Sequence, residues 1–265
     1  MDVTLHPDLR RPELVISDDR LSILRAMPVT REPGPPVVVF NSIGKPGTPP
    51  EFAASVARLR RPVLFVMDHK ATWYSAPETA DRVSDAIVNA LADWGGTAVD
   101  TLGFSMGGYA AIAYAERVPV RNAVALAPRF SPDPAIVADP RGHESLRRLS
   151  GKLAFATLAA GLQRLDGGLI LHGMRGPDLC QFRHIHAPQR VDHWLLPQCD
   201  HHVAIWLRRR GHLPSLLHSA LQGERAETAR RLAALGALRH RSLRARLMLH
   251  PVRLYARLRD MRGSG

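Results

Sequence analysis

The segment that most constrains what this chain can fold into is Gly103-Phe104-Ser105-Met106-Gly107-Gly108, a serine flanked by glycines. Residues 98–102 before it are short, apolar and partly β-branched, which predicts a strand, and the alanine-rich residues 109–117 after it predict a buried helix. A serine in such a turn needs a strained backbone to expose its hydroxyl, so the positions two residues away must be small. The N-terminus of the following helix directs free N–H groups toward a developing oxyanion. This arrangement predicts that Ser105 is a nucleophile.

Strand and helix patterns alternate along the rest of the chain. Two short apolar runs predict an N-terminal hairpin, and two Ser/Thr-x-x-Glu boxes predict helices that begin at Thr48 and Ser75. A mostly parallel sheet with helices on both faces is the architecture that this alternation favours. The predicted strands are 14–17, 21–25, 37–40, 63–67, 98–102, 122–127, 167–172 and 191–196, the last of the sheet.

The basic charge of the chain is concentrated near its end. Residues 223–265 hold eleven arginines and three acidic residues, which leaves them a net charge of +8 out of +12 for the whole chain. We expect an α/β domain over residues 1–222 and a basic helical extension over residues 223–265, with helices at 226–238 and 242–259 and an apolar stripe of leucines in the second. Such an extension packs on the body or a dimer mate, or contacts a membrane surface or an acidic partner. Tyr255 is its only aromatic residue, which argues against nucleic acid.

The composition of the chain bears on its cellular location and on whether disulfides or a metal are expected. No apolar run approaches the length of a membrane-spanning helix, and the N-terminus lacks a basic segment followed by an apolar one, so we expect a cytoplasmic protein. Cys180 and Cys199 are too few for a disulfide framework. No cysteine or carboxylate cluster stands at a zinc-like spacing around His184 and His186, so neither a metal nor another cofactor is expected.

The segment around Ser105, together with the loops that follow residues 167–172 and 191–196, resembles the α/β-hydrolase superfamily over roughly residues 10 to 220. The resemblance implies a small cap at about residues 131–165. It also implies an acid shortly after the strand 167–172, where Asp178 is the candidate, and Asp133 after the preceding strand is the reserve.

The resemblance implies that the base is a histidine in the loop after residues 191–196, where His201 and His202 are adjacent. Superfamily loops place the histidine two positions before an apolar residue that begins a helix. If Val203 is that apolar residue, the base is His201, although Asp200 replaces the usual glycine and His202 stays an alternative. The order of serine, acid and histidine is that of the superfamily.

The resemblance further implies two backbone N–H groups that hold an oxyanion. One follows the nucleophile, at Met106, and the other lies in the loop after residues 37–40, near Ser42 or Ile43. This loop lacks the HGGG form, so the choice between Ser42 and Ile43 stays open.

The implied activity is that of a serine hydrolase that cleaves a carboxylic ester or thioester through an acyl-enzyme on Ser105. The substrate would be a small-molecule or glycan acyl ester. Two alternatives stay open: an acyltransferase or deacylase that acts on a sugar or another alcohol, and a non-catalytic scaffold that works through its basic extension.

Overall fold

The computed structural model describes residues 5–44, 48–141, 146–147 and 151–249. Nine strands form one sheet in the order β1-β2-β4-β3-β5-β6-β7-β8-β9. Strands β3 to β8 are parallel, whereas β1, β2 and β9 run antiparallel to their neighbours. The strands are β1 Glu13–Ser17, β2 Leu21–Ala26, β3 Val37–Phe40, β4 Val63–Asp68, β5 Val99–Phe104, β6 Val120–Leu126, β7 Gly167–Gly173, β8 Val191–Leu196 and β9 Leu238–Arg239.

Helices cover both faces of this sheet, as the alternating pattern predicts. Successive residues of β3 point to opposite sides, so that Val38 belongs to one hydrophobic cluster and Val39 to the other. The first cluster includes α2, α3, α4 and α5, and the second includes α1, α6, α7 and α8. The helices are α1 Ala53–Ala57, α2 Pro77–Trp94, α3 Met106–Ala113, α4 Ala159–Arg164, α5 Leu179–Phe182, α6 Val203–Arg209, α7 Leu213–Gln222 and α8 Arg225–Ala234. The predicted fold class is confirmed.

The first two helices begin later than their sequence boxes predict. Helix α1 starts at Ala53 and not after Thr48, because the residue before a proline is disfavoured in the α conformation and Pro49 precedes Pro50. Helix α2 starts at Pro77 with Ala76 as its N-cap. The predicted start of each helix is therefore wrong, and Glu51 lies outside α1.

A buried cluster of charges closes the N-terminal edge of the parallel strands. Asp100, near the start of β5, accepts hydrogen bonds from Arg61 at 2.8 Å and from Arg121 at 2.8 and 2.5 Å, and the side chains of Asp100 and Arg61 are fully buried. The same arginines donate to the Leu221 carbonyl at the C-terminus of α7. Cations are favourable there because the last carbonyls of a helix have no partner within it. We call this group the Asp100 cluster.

The residues beyond 222 include more than helices. Helix α8 covers part of the predicted 226–238 helix, and β9 adds a short antiparallel strand beside β8, so 191–196 is not the last strand of the sheet. Two residues are too few to give a strand pattern in the sequence. Residues 243–249 are helical with Leu243 and Leu247 exposed. Residues 250–265, including Leu254, Leu258 and Tyr255 of the predicted basic extension, lie outside the described residues, as do residues 1–4.

The segment predicted as a small cap lies between β6 and β7. Of residues 131–165, the structure describes 131–141, 146–147 and 151–165, and α4 lies near the end of the segment. Phe155 and Leu158 are buried against the first hydrophobic cluster. Within the described residues, no helix is long and apolar enough to cross a membrane.

Candidate active site

Ser105 lies at the sharp turn between β5 and α3. Its φ of 55° and ψ of −114° are an uncommon conformation for a residue with a side chain. Cβ atoms at Gly103 or Gly107 would collide with backbone, that of Gly107 in the first case and that of Phe40 in the second. The turn is thus sterically possible only with glycine at both positions, which is the pattern that the sequence shows.

Three side chains from separate loops form a hydrogen-bonded series that we call the Ser–His–Asp cluster. Ser105 Oγ lies 2.9 Å from His201 Nε2, and His201 Nδ1 lies 3.0 Å from both carboxylate oxygens of Asp178. The carboxylate accepts, so the Nδ1 atom carries the proton in the neutral ring and Nε2 is free to accept the serine proton, a tautomer assigned from the partners. The residues come from the turn after β5, the start of α5 and the loop before α6.

His202 and Asp133, the sequence alternatives, lie elsewhere. The His202 side chain is 59% exposed and its Nδ1 lies 3.3 Å from Asp200. It therefore faces solvent, next to His201, which contacts Ser105. Asp133 is buried, and its carboxylate accepts hydrogen bonds from the backbone of Ala135 and Gly151. It organises its own loop rather than the imidazole of His201.

Two contacts bring the histidine loop to the serine. A Cβ at Gly173, the last residue of β7, would collide with the carbonyls of Cys199 and Asp200, so glycine permits this loop to approach the end of β7. The ring of Phe104, directly before Ser105, lies 5.2 Å from that of His201. Close approach on one side and ring packing on the other limit where the imidazole can lie.

Asp178 has a cationic neighbour, Arg141, that was not predicted from the sequence. Arg141 donates to Asp178 Oδ1 at 2.6 Å, and the same nitrogen lies 3.3 Å from His201 Nδ1. Asp139 holds this guanidinium with two hydrogen bonds of 2.8 and 2.6 Å, and Gln181 donates to Asp139 at 3.0 Å. Arg129 completes the group with an ion pair of 3.4 Å to Asp139. Arg141 and Asp139 belong to the variable segment after β6, where no motif marks them.

The charges around Asp178 keep it ionised. Burial alone would raise its pKa, but the hydrogen bond from His201 and the positive charge of Arg141 lower the pKa overall. Burial likewise disfavours the charge on Arg141, yet its hydrogen bonds to Asp139 and its attraction to Asp178 raise its pKa. An ionised carboxylate and a guanidinium therefore both lie beside the Nδ1 atom of His201.

A second histidine lies near the acid without joining the cluster. His172 is fully buried at the end of β7, and burial lowers its pKa to about 4, so it is neutral near pH 7. One ring nitrogen lies 2.8 Å from the Pro128 carbonyl and the other 3.0 Å from His193. Both nitrogens are thus occupied within the core, which leaves the acid to His201.

The N–H groups proposed for an oxyanion differ in their partners. Met106 is the first residue of α3, and neither its N–H nor that of Ile43 donates to any described residue. The N–H of Ser42 instead donates to Glu51 Oε2 at 3.1 Å. Of the two sequence candidates in this loop, Ile43 has the available donor.

A cavity of about 610 Å³ lies beside the cluster. Its lining includes Phe104, which precedes Ser105, and Ser42 in the loop after β3. Ile205 and Leu213 make part of its wall apolar, and Arg208 adds a positive charge. This volume is within the range of small-molecule binding sites.

The two cysteines and the described histidines outside the Ser–His–Asp cluster were the remaining candidates for a nucleophile or a metal site. Burial raises the pKa of Cys180 and of Cys199 to about 11, so both are thiols near pH 7. Within the described part of the chain, no group of three or more His, Cys, Asp and Glu residues is arranged to hold a metal ion. His184 stacks on Phe130, with ring centroids 5.6 Å apart.

No protein-family model matches the sequence, and sequence comparison detected no curated relative. Solved structures do match. A bacterial heroin esterase is 18% identical with a TM-score of 0.56 over 84% of this chain and 86% of its own. The 2,6-dihydroxy-pseudo-oxynicotine hydrolase is 16% identical with a TM-score of 0.56 over 80% and 68%, and an esterase of Pyrococcus furiosus is 11% identical with a TM-score of 0.54 over 80% and 90%. At these identities the likeness establishes the fold, which is that of the α/β-hydrolases.

Proposed function

We propose that this protein is a serine hydrolase that cleaves a carboxylic ester or thioester through an acyl-enzyme on Ser105. The observation that carries the proposal is the 2.9 Å contact between Ser105 Oγ and His201 Nε2, on a serine held in a strained turn. Serine is a weak nucleophile by itself and needs an adjacent base that is oriented by a third group. Asp178 supplies that orientation through the Nδ1 atom of His201.

The first half of the reaction acylates the serine. His201 takes the proton of Ser105 as the oxygen forms a bond to the substrate carbonyl carbon. The imidazolium then gives this proton to the leaving alcohol or thiol as the tetrahedral intermediate breaks down. Asp178 holds the ring and stabilises its positive charge, and Arg141, which binds the same carboxylate, helps to keep it ionised.

The second half returns the enzyme to its starting state. Water gives a proton to His201 and attacks the acyl carbon, and Ser105 recovers its proton when it leaves. Both tetrahedral intermediates carry an oxyanion, for which we propose the N–H groups of Met106 and Ile43 as donors. Supporting this pair, neither N–H has a partner in the described structure, whereas the N–H of Ser42 is engaged by Glu51.

The cavity beside Phe104 is the proposed site of the acyl group. Its apolar wall favours an aliphatic or aromatic acyl chain, because burying such a chain removes apolar surface from water. The heroin esterase and the Pyrococcus esterase named above share the fold and act, by their names, on esters. This likeness supports an ester rather than an amide as the first substrate to test.

Labelling with a fluorophosphonate probe, followed by mapping of the modified peptide, tests the proposal. The wild type, Ser105→Ala, His201→Ala and His202→Ala are compared at pH 7.5, together with their hydrolysis of p-nitrophenyl acetate and butyrate. We expect labelling at Ser105, none in Ser105→Ala, a loss of at least about 10³-fold in His201→Ala, and rates within about threefold of wild type in His202→Ala.

His202→Ala is the matched control, since it removes an adjacent imidazole that faces solvent. Folded wild type that neither labels nor turns over an ester would contradict the proposal. Equal losses in the two histidine variants would contradict the assigned base. Products analysed with added alcohols show whether water or an alcohol accepts the acyl group.

A further inference from the structure

Glu51 lies outside the Ser–His–Asp cluster but connects to the loop after β3 at three points. Its backbone N–H donates to Asn41 Oδ1 at 3.0 Å. Its carboxylate accepts the N–H of Ser42 at 3.1 Å on one oxygen and the Ser42 hydroxyl on the other. The side chain thus joins residues 41 and 42 to the segment that leads into α1.

Burying the carboxylate of Glu51 costs free energy, because it removes the charged group from water. Burial raises the pKa of Glu51, although the Ser42 hydrogen bonds and the positive charge of Arg208 act in the opposite direction. No described arginine or lysine forms an ion pair with its carboxylate within 4.0 Å. A partly buried carboxylate is therefore used to hold one serine, at the wall of the 610 Å³ cavity.

The position of Ser42 explains what the contact can achieve. β3 lies beside β5 with Phe40 opposite Gly103, so the loop after β3 runs next to the turn that carries Ser105. Because this loop lacks a run of glycines, its backbone course must be fixed by other means. Glu51 engages both donors of Ser42, whereas the N–H of Ile43 has no partner among the residues that the structure describes.

We propose that Glu51 is a positioning residue that fixes the loop at residues 41–44 so that the Ile43 N–H is held for the oxyanion. This inference rests on the proposed function of Ser105. A fixed donor stabilises charge that develops in the transition state without reorganising first, so its effect belongs to kcat rather than to substrate binding. Glu51 acts through Ser42 and does not itself touch the reacting atoms.

Steady-state kinetics with p-nitrophenyl butyrate test the inference in Glu51→Ala, Glu51→Gln and Ser42→Ala. We expect kcat to fall about 10- to 100-fold in Glu51→Ala with KM within about threefold, and the fluorophosphonate labelling rate to fall in parallel, because the phosphonyl oxygen takes the place of the oxyanion. Glu51→Gln keeps one acceptor and should lose less. Glu32→Ala is the matched control, because it removes an exposed glutamate that pairs with Arg60 and does not line the cavity, and it should behave as wild type.

A double-mutant cycle separates positioning from a general structural effect. If Glu51 acts through Ser42, adding Ser42→Ala to Glu51→Ala should lower kcat by less than the product of the single effects. Ser42→Ala keeps the carboxylate in place, so it serves even if Glu51→Ala folds poorly by circular dichroism. A rise in KM with unchanged kcat, or unchanged labelling in Glu51→Ala, would overturn the inference while wild-type labelling keeps the proposed function. Wild type that does not label at Ser105 would overturn both.

Discussion

Strand β5 has a buried aspartate–arginine group near each of its ends, and the two groups differ in what completes them. At the N-terminal edge, Asp100 is bound by Arg61 and Arg121, and both arginines also bind helix carbonyls. At the C-terminal edge beyond Ser105, Asp178 is bound by Arg141 and also by the imidazole of His201. The side chains of the two aspartates are 0% and 4% exposed, so burial does not distinguish them.

The difference lies in the protonation states that each group can reach. Among the described residues, the Asp100 cluster consists of two arginines that stay charged near neutral pH, backbone carbonyls and the side-chain amide of Gln222. It can hold the sheet and α7 together, but it offers no group that exchanges a proton near pH 7. The Asp178 group includes an imidazole whose second nitrogen contacts a serine in a strained turn. A buried ion pair by itself therefore indicates no function, whereas one that ends on a histidine and a hydroxyl does.

Asp178→Asn gives the largest expected difference between the two groups. The amide cannot stabilise the imidazolium and can favour the wrong tautomer of His201, so kcat for p-nitrophenyl butyrate should fall about 10⁴-fold. The melting temperature should change by only a few degrees, because Asp139 still binds Arg141.

Asp133→Asn is the control for Asp178→Asn, since Asp133 is also buried and its carboxylate accepts hydrogen bonds from the backbone of Ala135 and Gly151. Its kcat should stay within about threefold of wild type in the folded protein. An equal loss of kcat in the two variants would contradict the assignment of Asp178, rather than Asp133, as the acid that orients His201.

Asp100→Asn should act on stability instead. Removing the charge leaves Arg61 buried without its anionic partner, which costs about 3–5 kcal/mol of the free energy of unfolding. Urea denaturation measures the loss, and kcat of the folded fraction should stay within about threefold.

The surface pair of Asp93 and Arg25 supplies the control for Asp100→Asn. The Asp93 side chain is 59% exposed, so Asp93→Asn should cost less than about 1 kcal/mol. A 10²-fold fall in kcat for folded Asp100→Asn would show that the two edges of the sheet are coupled.

Arg141→Gln gives the smallest expected effect and sharpens the comparison most. The guanidinium donates to Asp178 and lies 3.3 Å from His201 Nδ1, so its removal takes one charged partner from the acid that orients the ring. The value of kcat for p-nitrophenyl butyrate should therefore fall about 3- to 10-fold, the size of one hydrogen bond to a charged group that water partly replaces.

Arg141→Lys keeps the positive charge beside Asp178 and should keep kcat within about threefold of wild type. Equal losses of kcat in the two variants would show that the shape of the guanidinium matters rather than its charge. An unchanged kcat in Arg141→Gln would contradict a role for Arg141 in supporting Asp178.

The sequence predicted most of the fold because the signals are local. The apolar runs of β3 and β4, which are buried on both faces of the sheet, follow from residue order, and the parallel direction of β3 to β8 follows from the alternation of strand and helix. The predicted start of α1 was wrong, because the same short sequence pattern is compatible with two different backbone conformations. Thr48 to Glu51 matches a capping box, yet the second proline disfavours a helical start, and Glu51 contacts Ser42 instead.

The residues of the candidate site also fall into those that the sequence predicted and those that it did not. Residues already marked by a motif, such as Ser105, could be proposed from the sequence with a chemical role. Arg141 and Glu51 could not, because each acts across a sequence separation of 9 to 60 residues on a partner that no pattern identifies. Contacts of this kind depend on how loops pack at the end of the sheet.

The sequence by itself predicted the turn at Ser105, because glycines stand at both positions where such a turn needs small residues. The clash that excludes a Cβ at Gly103 is local, with Gly107, whereas the clash at Gly107 is with Phe40 of β3. Only the tertiary structure decided between neighbours in a loop: His201 rather than His202 contacts Ser105, and Ser42 rather than Ile43 has its N–H engaged. Adjacent loop residues share almost the same sequence environment but point in different directions. Which one faces the serine is set by long-range packing, here the close approach at Gly173 and the ring of Phe104.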